Sequence, residues 1–225
     1  MTNKQSRPAA DNQNKAAIVT ETLFNQHKKA FIYGTLAVVL LIVAGILYYN
    51  YVVLPREDKA QEMIFRGQLY FQNEEYDKAL NGDGQVYDGF LAVADKYGST
   101  KAGNLAKLYA GLCYAEAGNY QEAAKYLEAY KDCGDALISP AAAAALGNCY
   151  VELGDVQRGA ETLVKAAQKA DCNSLSPTFY IQAGQLYESL NQNDKALDCY
   201  RQIKTKYLNS SYYSDIDKYI ERVSE

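Results

Sequence analysis

At 225 residues with 48% apolar content, the chain is long enough for one large or two small domains with a real core. Its net charge of −4 hides an asymmetry: residues 1–30 carry five basic side chains against two acidic, and the remainder carries 18 basic against 25 acidic. An acidic body without a basic stripe argues against nucleic acid as a partner, and the single histidine, His27, stands too far forward to serve a His-dependent triad or a multi-His metal site in a folded domain.

Residues 1–30 are rich in Asn, Gln, Lys and Ala, too poor in large apolar side chains to fold alone, and read as a disordered basic tail. From Ala30 to Pro55 no charged residue occurs. The 23 residues from Phe31 to Val53 would make about 35 Å of helix, enough for a bilayer core of about 30 Å. Phe31 and Tyr33 flank one end and Tyr48, Tyr49 and Tyr51 the other, as aromatic belts do. Residues 31–54 are therefore expected to form one uncleaved transmembrane helix, since the apolar run is longer than a signal peptide's about 7–15 residues. No cysteine stands between Phe31 and Arg56, so a lipoprotein anchor, which needs one directly after the apolar run, is excluded. A short basic tail stays inside while a long domain can be carried across whatever its charge, so the expected topology is a cytoplasmic N-terminus and an exported domain.

Beyond Pro55 one spacing recurs. Gly111, Tyr114, Gly118, Ala123 and Leu127 are followed by Gly147, Tyr150, Gly154, Gly159 and Leu163, and then by Gly184, Tyr187, Asn191, Ala196 and Tyr200. The leading glycines stand 36 and 37 residues apart. Glycine in a first helix admits a close neighbour, Gly or Asn at +7 can take the left-handed backbone that ends a helix, and a small residue at +12 lets the second helix seat against the first. Gly67, Tyr70, Tyr76 and Ala79 keep part of the pattern, a degenerate first copy. It breaks at Asn81-Gly82-Asp83-Gly84, a turn by composition, before a further helix with Tyr87, Phe90, Leu91 and Ala94 on one face. A calcium loop at Asp83 lacks the alternating acids of an EF-hand, which favours a structural turn. Pro140 and Pro177 stand where helices should begin. A last helix near 212–223 with Tyr213, Ile216, Tyr219, Ile220 and Val223 on one face is expected to cap the array.

This spacing resembles the tetratricopeptide repeat, a helix pair of about 34 residues. The expected architecture is all-α: a tail (1–30), a transmembrane helix (31–54), a degenerate repeat with an inserted helix (55–103), three repeats (104–210) and a capping helix (211–225). The many tyrosines on the repeat helices are expected to be packing residues. Five cysteines lack any C-x-x-C spacing. Cys113 and Cys149 each follow a repeat glycine by two residues, where a small buried side chain is expected, while Cys133 and Cys172 fall between repeats. An odd thiol count fits poorly with an oxidising compartment, which keeps a cytoplasm-facing adaptor as the alternative. No phosphate-binding loop ending in Lys-Ser or Lys-Thr occurs. No catalytic, cofactor or metal residue, and no small-molecule substrate, is expected.

The order of tail, span and repeats is similar to the signal-anchored tetratricopeptide proteins of Bacteroidetes-type bacteria, with Asn81-Gly82-Asp83-Gly84 and Lys101-Ala102-Gly103-Asn104-Leu105-Ala106 in common. In layout the chain also resembles the ancillary translocon subunit of other Gram-negative bacteria. That resemblance implies a single-pass inner-membrane protein with a periplasmic repeat domain, and a translocon, chaperone or envelope-assembly component as partner. It also implies a concave groove lined by the first helices, at Leu105, Leu108, Leu112 and Glu116, then Ala141, Ala144, Asn148 and Glu152, then Thr178, Ile181, Gln185 and Glu188. From these, Leu105, Leu108, Leu112, Asn148, Ile181 and Gln185 are the candidate partner-binding residues. Only Asn148 matches the Lys, Arg and Asn set of a carboxylate clamp. Two fates stay open for the three leucines: an exposed apolar patch, or burial beneath residues 84–97.

Overall fold

The computed structural model describes the backbone of residues 9–224 and side chains from Lys28 onward. The chain divides into two units, residues 1–55 and 56–225.

The first unit is helix α1 (Ala9–Tyr48) and a π turn (Tyr49–Val53). Helix begins inside the stretch that composition assigns to a disordered tail. Extending an existing helix into Ala, Gln, Lys and Glu adds one hydrogen bond per residue fixed, and these residue types lose little rotamer freedom in it. The first eight residues of that tail lie outside the described residues. From Phe31 to Val52 the helix is apolar all round and exposed, with a mean hydropathy of 2.6 over its most apolar window. It is long and apolar enough to span a membrane. Thr35 turns its hydroxyl back to the carbonyls of Phe31 and Ile32, each 3.0 Å away, the local bond a helical threonine commonly makes. The π turn, in which Leu54 N–H reaches Tyr49 O, has no forerunner in the sequence pattern.

The second unit is helical throughout its described residues: α2 (Leu54–Gln72), α3 (Tyr76–Asn81), α4 (Phe90–Lys96), three longer pairs α5/α6 (Lys101–Glu116, Tyr120–Ala129), α7/α8 (Ile138–Glu152, Val156–Ala170) and α9/α10 (Ser176–Ser189, Asn193–Lys206), and α11 (Ile216–Ser224). Consecutive helices pack side by side from α4 to α11.

The repeat register does what its spacing implies. A Cβ on Gly111 would meet Leu127 Cγ at 2.7 Å and Ala123 O at 3.2 Å; on Gly147, Gly159 O at 3.1 Å and Leu163 Cγ at 3.2 Å; on Gly184, it would run into the Tyr200 ring. Each leading glycine thus receives the +12 or +16 residue of its partner helix. Gly118, Gly154 and Asn191 have φ of 74°, 87° and 56°, ending the first helices in the left-handed region.

The degenerate repeat departs from the pattern at Tyr87, which precedes α4 instead of lying on it. Asp83 accepts hydrogen bonds from the amides of Gln85, Val86 and Tyr87 and from the Tyr70 hydroxyl, all within 3.0 Å. Those donors, led by the Tyr87 and Gln85 amides, hold its carboxyl well below the usual range, and they occupy the oxygens a cation would need. The turn is structural. Tyr87, Phe90 and Val93 are buried against α2, whose Gly67 has no room for a side chain beside Tyr87 and Phe90.

Four buried polar side chains tie the connections down. Thr100 caps α5 by accepting from Gly103 N at 2.9 Å, and Asn104 both donates to and accepts from the Lys131 backbone. Ser139 and Ser176 accept from the amides of Cys133 and Cys172. From α2, Glu57 reaches the free amides of Lys101 and Ala102 at 2.8 and 2.9 Å, placing a carboxylate at the positive end of α5.

Asp135 does the same locally for α7. It accepts from the Ser139 hydroxyl at 2.6 Å and from the amides of Leu137, Ile138 and Ser139. The Ser139 hydroxyl first, and the amides behind it, hold the Asp135 carboxyl at about 2, against a desolvation that pushes it up. A depressed carboxylate contributes stability above its unfolded pKa of about 4, and that contribution fades as pH falls from there towards 2. Asp135→Asn should therefore melt below the wild type at pH 7, and the gap should narrow between pH 4 and 2 in thermal scans.

The cap α11 begins at Ile216, later than its apolar spacing suggests, because residues 211–215 form turns. Ile216 and Val223 are buried against the last pair, while Tyr213 faces solvent.

Candidate functional site

The face of the first helices α5, α7 and α9 carries the residues singled out by register. It is uneven in depth. The position three before each leading glycine is buried in all three repeats: Leu108 at 6% exposure, Ala144 at 5% and Ile181 at 5%. Leu108 packs with Ala123, Ala124 and Leu127 of α6 and with Ala142, Cys149 and Tyr150 of α7. Ile181 belongs to the core shared by α8 to α11. These two candidates are therefore core residues, removed from the surface by the neighbouring helices, and residues 84–97 are not what covers Leu108.

One position beyond each leading glycine stand Leu112, Asn148 and Gln185. Asn148 and Gln185 are exposed, and Leu112 is half-buried. Leu105 is also half-buried, packed where the core of α2 to α5 meets that of α5 to α7. The structure thus brings Leu112, Asn148 and Gln185 to one register row of partly or fully accessible side chains, with Leu105 two turns before Leu112 on α5. Glu116 and Glu152 lie exposed at the ends of α5 and α7.

Glu188, expected on the same surface, is otherwise engaged. It takes two hydrogen bonds from Arg222 of α11, at 2.8 and 2.7 Å, and a third from the Tyr200 hydroxyl. Burial raises its carboxyl, but the Arg222 and Tyr200 donors outweigh it and hold the group below its ordinary value. Glu188 is a joint between α9, α10 and the cap, an arrangement that the primary sequence does not signal because Arg222 lies 34 residues away.

The tyrosines of the repeat helices are mainly packing residues, as expected. Tyr150, Tyr180, Tyr187 and Tyr200 are buried, Tyr109 stacks on Phe90 at 5.1 Å, and Tyr114 stacks on Tyr126 at 5.6 Å. Of the five free cysteines, Cys113, Cys149 and Cys199 are buried, with burial pushing the Cys113 and Cys199 thiols up to about 12. Cys133 is exposed and Cys172 partly so.

One apolar feature escapes a reading of the sequence. Phe65 and Leu69, one turn apart on α2, are 62% and 47% exposed. Leu69 follows Gly67 by two residues, the register position of Cys113 and Cys149, which are 0% and 2% exposed because a preceding helix pair covers them. No helix pair of the second unit precedes α2, so its equivalent face is open. Aligning the first repeat on Gly67 throughout, position by position, is the signal that reveals it.

The geometry and the comparisons agree. A tetratricopeptide repeat family matches residues 66–137 and a second such family residues 177–205. The fold is a tetratricopeptide repeat solenoid. Among solved structures it is similar to the nearly identical TPR-like repeats of a putative kinesin light chain of Podosopora anserina, at 16% identity and a TM-score of 0.56, covering 74% of this chain and 86% of that one. A single-substitution form of that protein aligns at 15% identity and a TM-score of 0.55, with 74% and 85% covered. At such identity the likeness concerns the fold alone. No curated protein matches this chain. Tetratricopeptide repeats are protein-binding scaffolds, and no enzyme family matches.

Proposed function

We propose that the protein is a membrane-anchored tetratricopeptide scaffold that holds a protein partner, or an extended segment of one, along α5, α7 and α9, in the service of export, envelope assembly or quality control. The observation that carries this reading is the pair Asn148 and Gln185. They occupy the same register position on successive first helices, both are exposed, and neither amide is bonded within the described residues. Each offers a donor and an acceptor, which is what the backbone of an extended segment requires. Leu112 at the equivalent position of α5 supplies an apolar anchor. The apolar α1 helix supports the membrane half of the reading, with the repeats on the far side of the inner membrane from the N-terminus.

The test places a photo-crosslinking residue at 148 or 185 in cells, with the exposed second-helix position 161 as control. Adducts at 148 and 185 but not at 161 support the reading, and translocon subunits among them would support the likeness to the ancillary subunit. Equal adducts at all three positions, or none, would sink it.

Topology has its own reporter. Cys133 is the exposed thiol of the solenoid, so a membrane-impermeant maleimide should label it in intact cells whose outer barrier is permeabilised, and Cys133→Ser should abolish most of the signal. Labelling only after lysis would favour the cytoplasm-facing adaptor.

A further inference from the structure

A second surface of the solenoid has the form of a binding site. Between α8 and α10, floored by α9, lies a cleft of about 580 Å³, within the range of about 300–1,000 Å³ usual for ligand sites. Val164 and the edges of Tyr180 and Tyr187 form its apolar floor. Tyr180 and Tyr187 lie two turns apart on α9, on a different face of the helix from Ile181 and Gln185, so this cleft is separate from the row of the first helices.

The polar groups around the floor are unevenly distributed. At one end Lys206 stands one turn beyond Gln202 on α10, with Gln168 of α8 also in the lining. Lys206 enters no ion pair among the described residues, although Lys204 is bonded to Asp217 and Lys169 to Asp132. At the other end Lys195 lies over the Tyr187 ring at 5.3 Å, and Asp198, three residues on, is also in the lining, so that end carries one charge of each sign. The cleft therefore presents at one end a cation with amides and no acid in the lining, then an apolar floor, then an end with one charge of each sign. The run from Lys195 to Lys206 spans about 16 Å of helix, the length of about five residues of extended chain.

We propose that this cleft binds an extended peptide segment of about five residues, with an acidic side chain held by Lys206, Gln202 and Gln168 and apolar side chains laid over Val164, Tyr180 and Tyr187. Charge complementarity sets the direction of the segment: its acid belongs beside Lys206, whose charge draws it there, at the C-terminal end of α10. The site is independent of the row on α5, α7 and α9, and either can fail without the other.

The chain contains no Trp, so a probe can carry its own fluorophore. The probe is the peptide acetyl-Glu-Leu-Trp-Leu-Gly-amide, titrated with the full chain in detergent micelles. The expected result is a saturable blue shift of Trp emission. Binding should weaken about tenfold or more in Lys206→Gln, and similarly when Gln replaces the peptide's Glu, for loss of a charge-assisted contact. The exposed position of Lys206 leaves folding intact, which an unchanged melting temperature verifies. Asn148→Ala and Gln185→Ala should bind the probe like the wild type. Absence of saturable binding, or equal binding by wild type and Lys206→Gln, overturns the proposal.

Discussion

Gly147→Leu is expected to lower the melting temperature by several degrees, while Glu152→Gln five residues on leaves it nearly unchanged. The two helices of the second full repeat meet backbone to backbone there. A Cβ on Gly147 already approaches Gly159 O at 3.1 Å and Leu163 Cγ at 3.2 Å, and one on Gly159 would collide with Val151 Cγ2. Neither neighbour of Gly147 can swing away, since one is a helix carbonyl and the other a leucine with 0% exposure. The remaining atoms of a leucine must then separate α7 from α8, at about 1–3 kcal/mol or more, and each kcal/mol shifts a domain of this size by about 2–4 °C. Glu152 is exposed at the end of its helix. Equal melting temperatures for Gly147→Leu and the wild type would show that the register is wrong.

That register is readable because it repeats: a Gly at one position is common, but a Gly matched to the same +7, +12 and +16 residues three times leaves little freedom. What the sequence does not disclose are features that depend on a partner far along the chain. Glu57 reaches the amides of Lys101 and Ala102, 44 and 45 residues away, and Glu188 is claimed by Arg222. Periodicity assigns Tyr87 to a helix because its spacing to Phe90, Leu91 and Ala94 is helical. The break comes from Gly89, at φ 92°, where a Cβ would collide with Leu80 O, and from Asp83 gathering the preceding amides. Helical periodicity sees none of this.

The candidate site is legible in part for a related reason. Register identifies which residues of a first helix share a face, and Asn148 and Gln185 do stand exposed on it. It does not say how far the neighbouring pair reaches over that face. In a solenoid each first helix is flanked on both sides, so the accessible strip is narrower than the apolar pattern of a lone helix suggests. Leu108, Ala144 and Ile181 fall under the neighbours, whereas four positions later Asn148 and Gln185 escape them and Leu112 does so in part. At the beginning of the array the reasoning inverts, and Leu69 is exposed where its counterparts are buried.

Leu108→Ser is accordingly expected to act on stability rather than on partner capture alone. Leu108 is 6% exposed and sits among Ala123, Ala124, Leu127, Ala142, Cys149 and Tyr150, three helices that meet where the first full repeat joins the second. Truncating a leucine in such a setting costs about 2–5 kcal/mol. The serine hydroxyl adds a polar group among Ala, Leu, Cys and Tyr side chains, where the one hydroxyl, that of Tyr150, is engaged by Glu128, at about 1–3 kcal/mol if it finds no partner. The sum is a large part of the stability of a typical domain, about 5–15 kcal/mol. Leu112→Ser at the half-buried position should cost much less and should weaken crosslinking from residue 148 if Leu112 anchors the same segment. Chemical denaturation separates the two: a midpoint far below wild type for Leu108→Ser and near it for Leu112→Ser is the expected pair. A wild-type midpoint for Leu108→Ser would mean that α5 presents this leucine to solvent, and would return it to the binding surface.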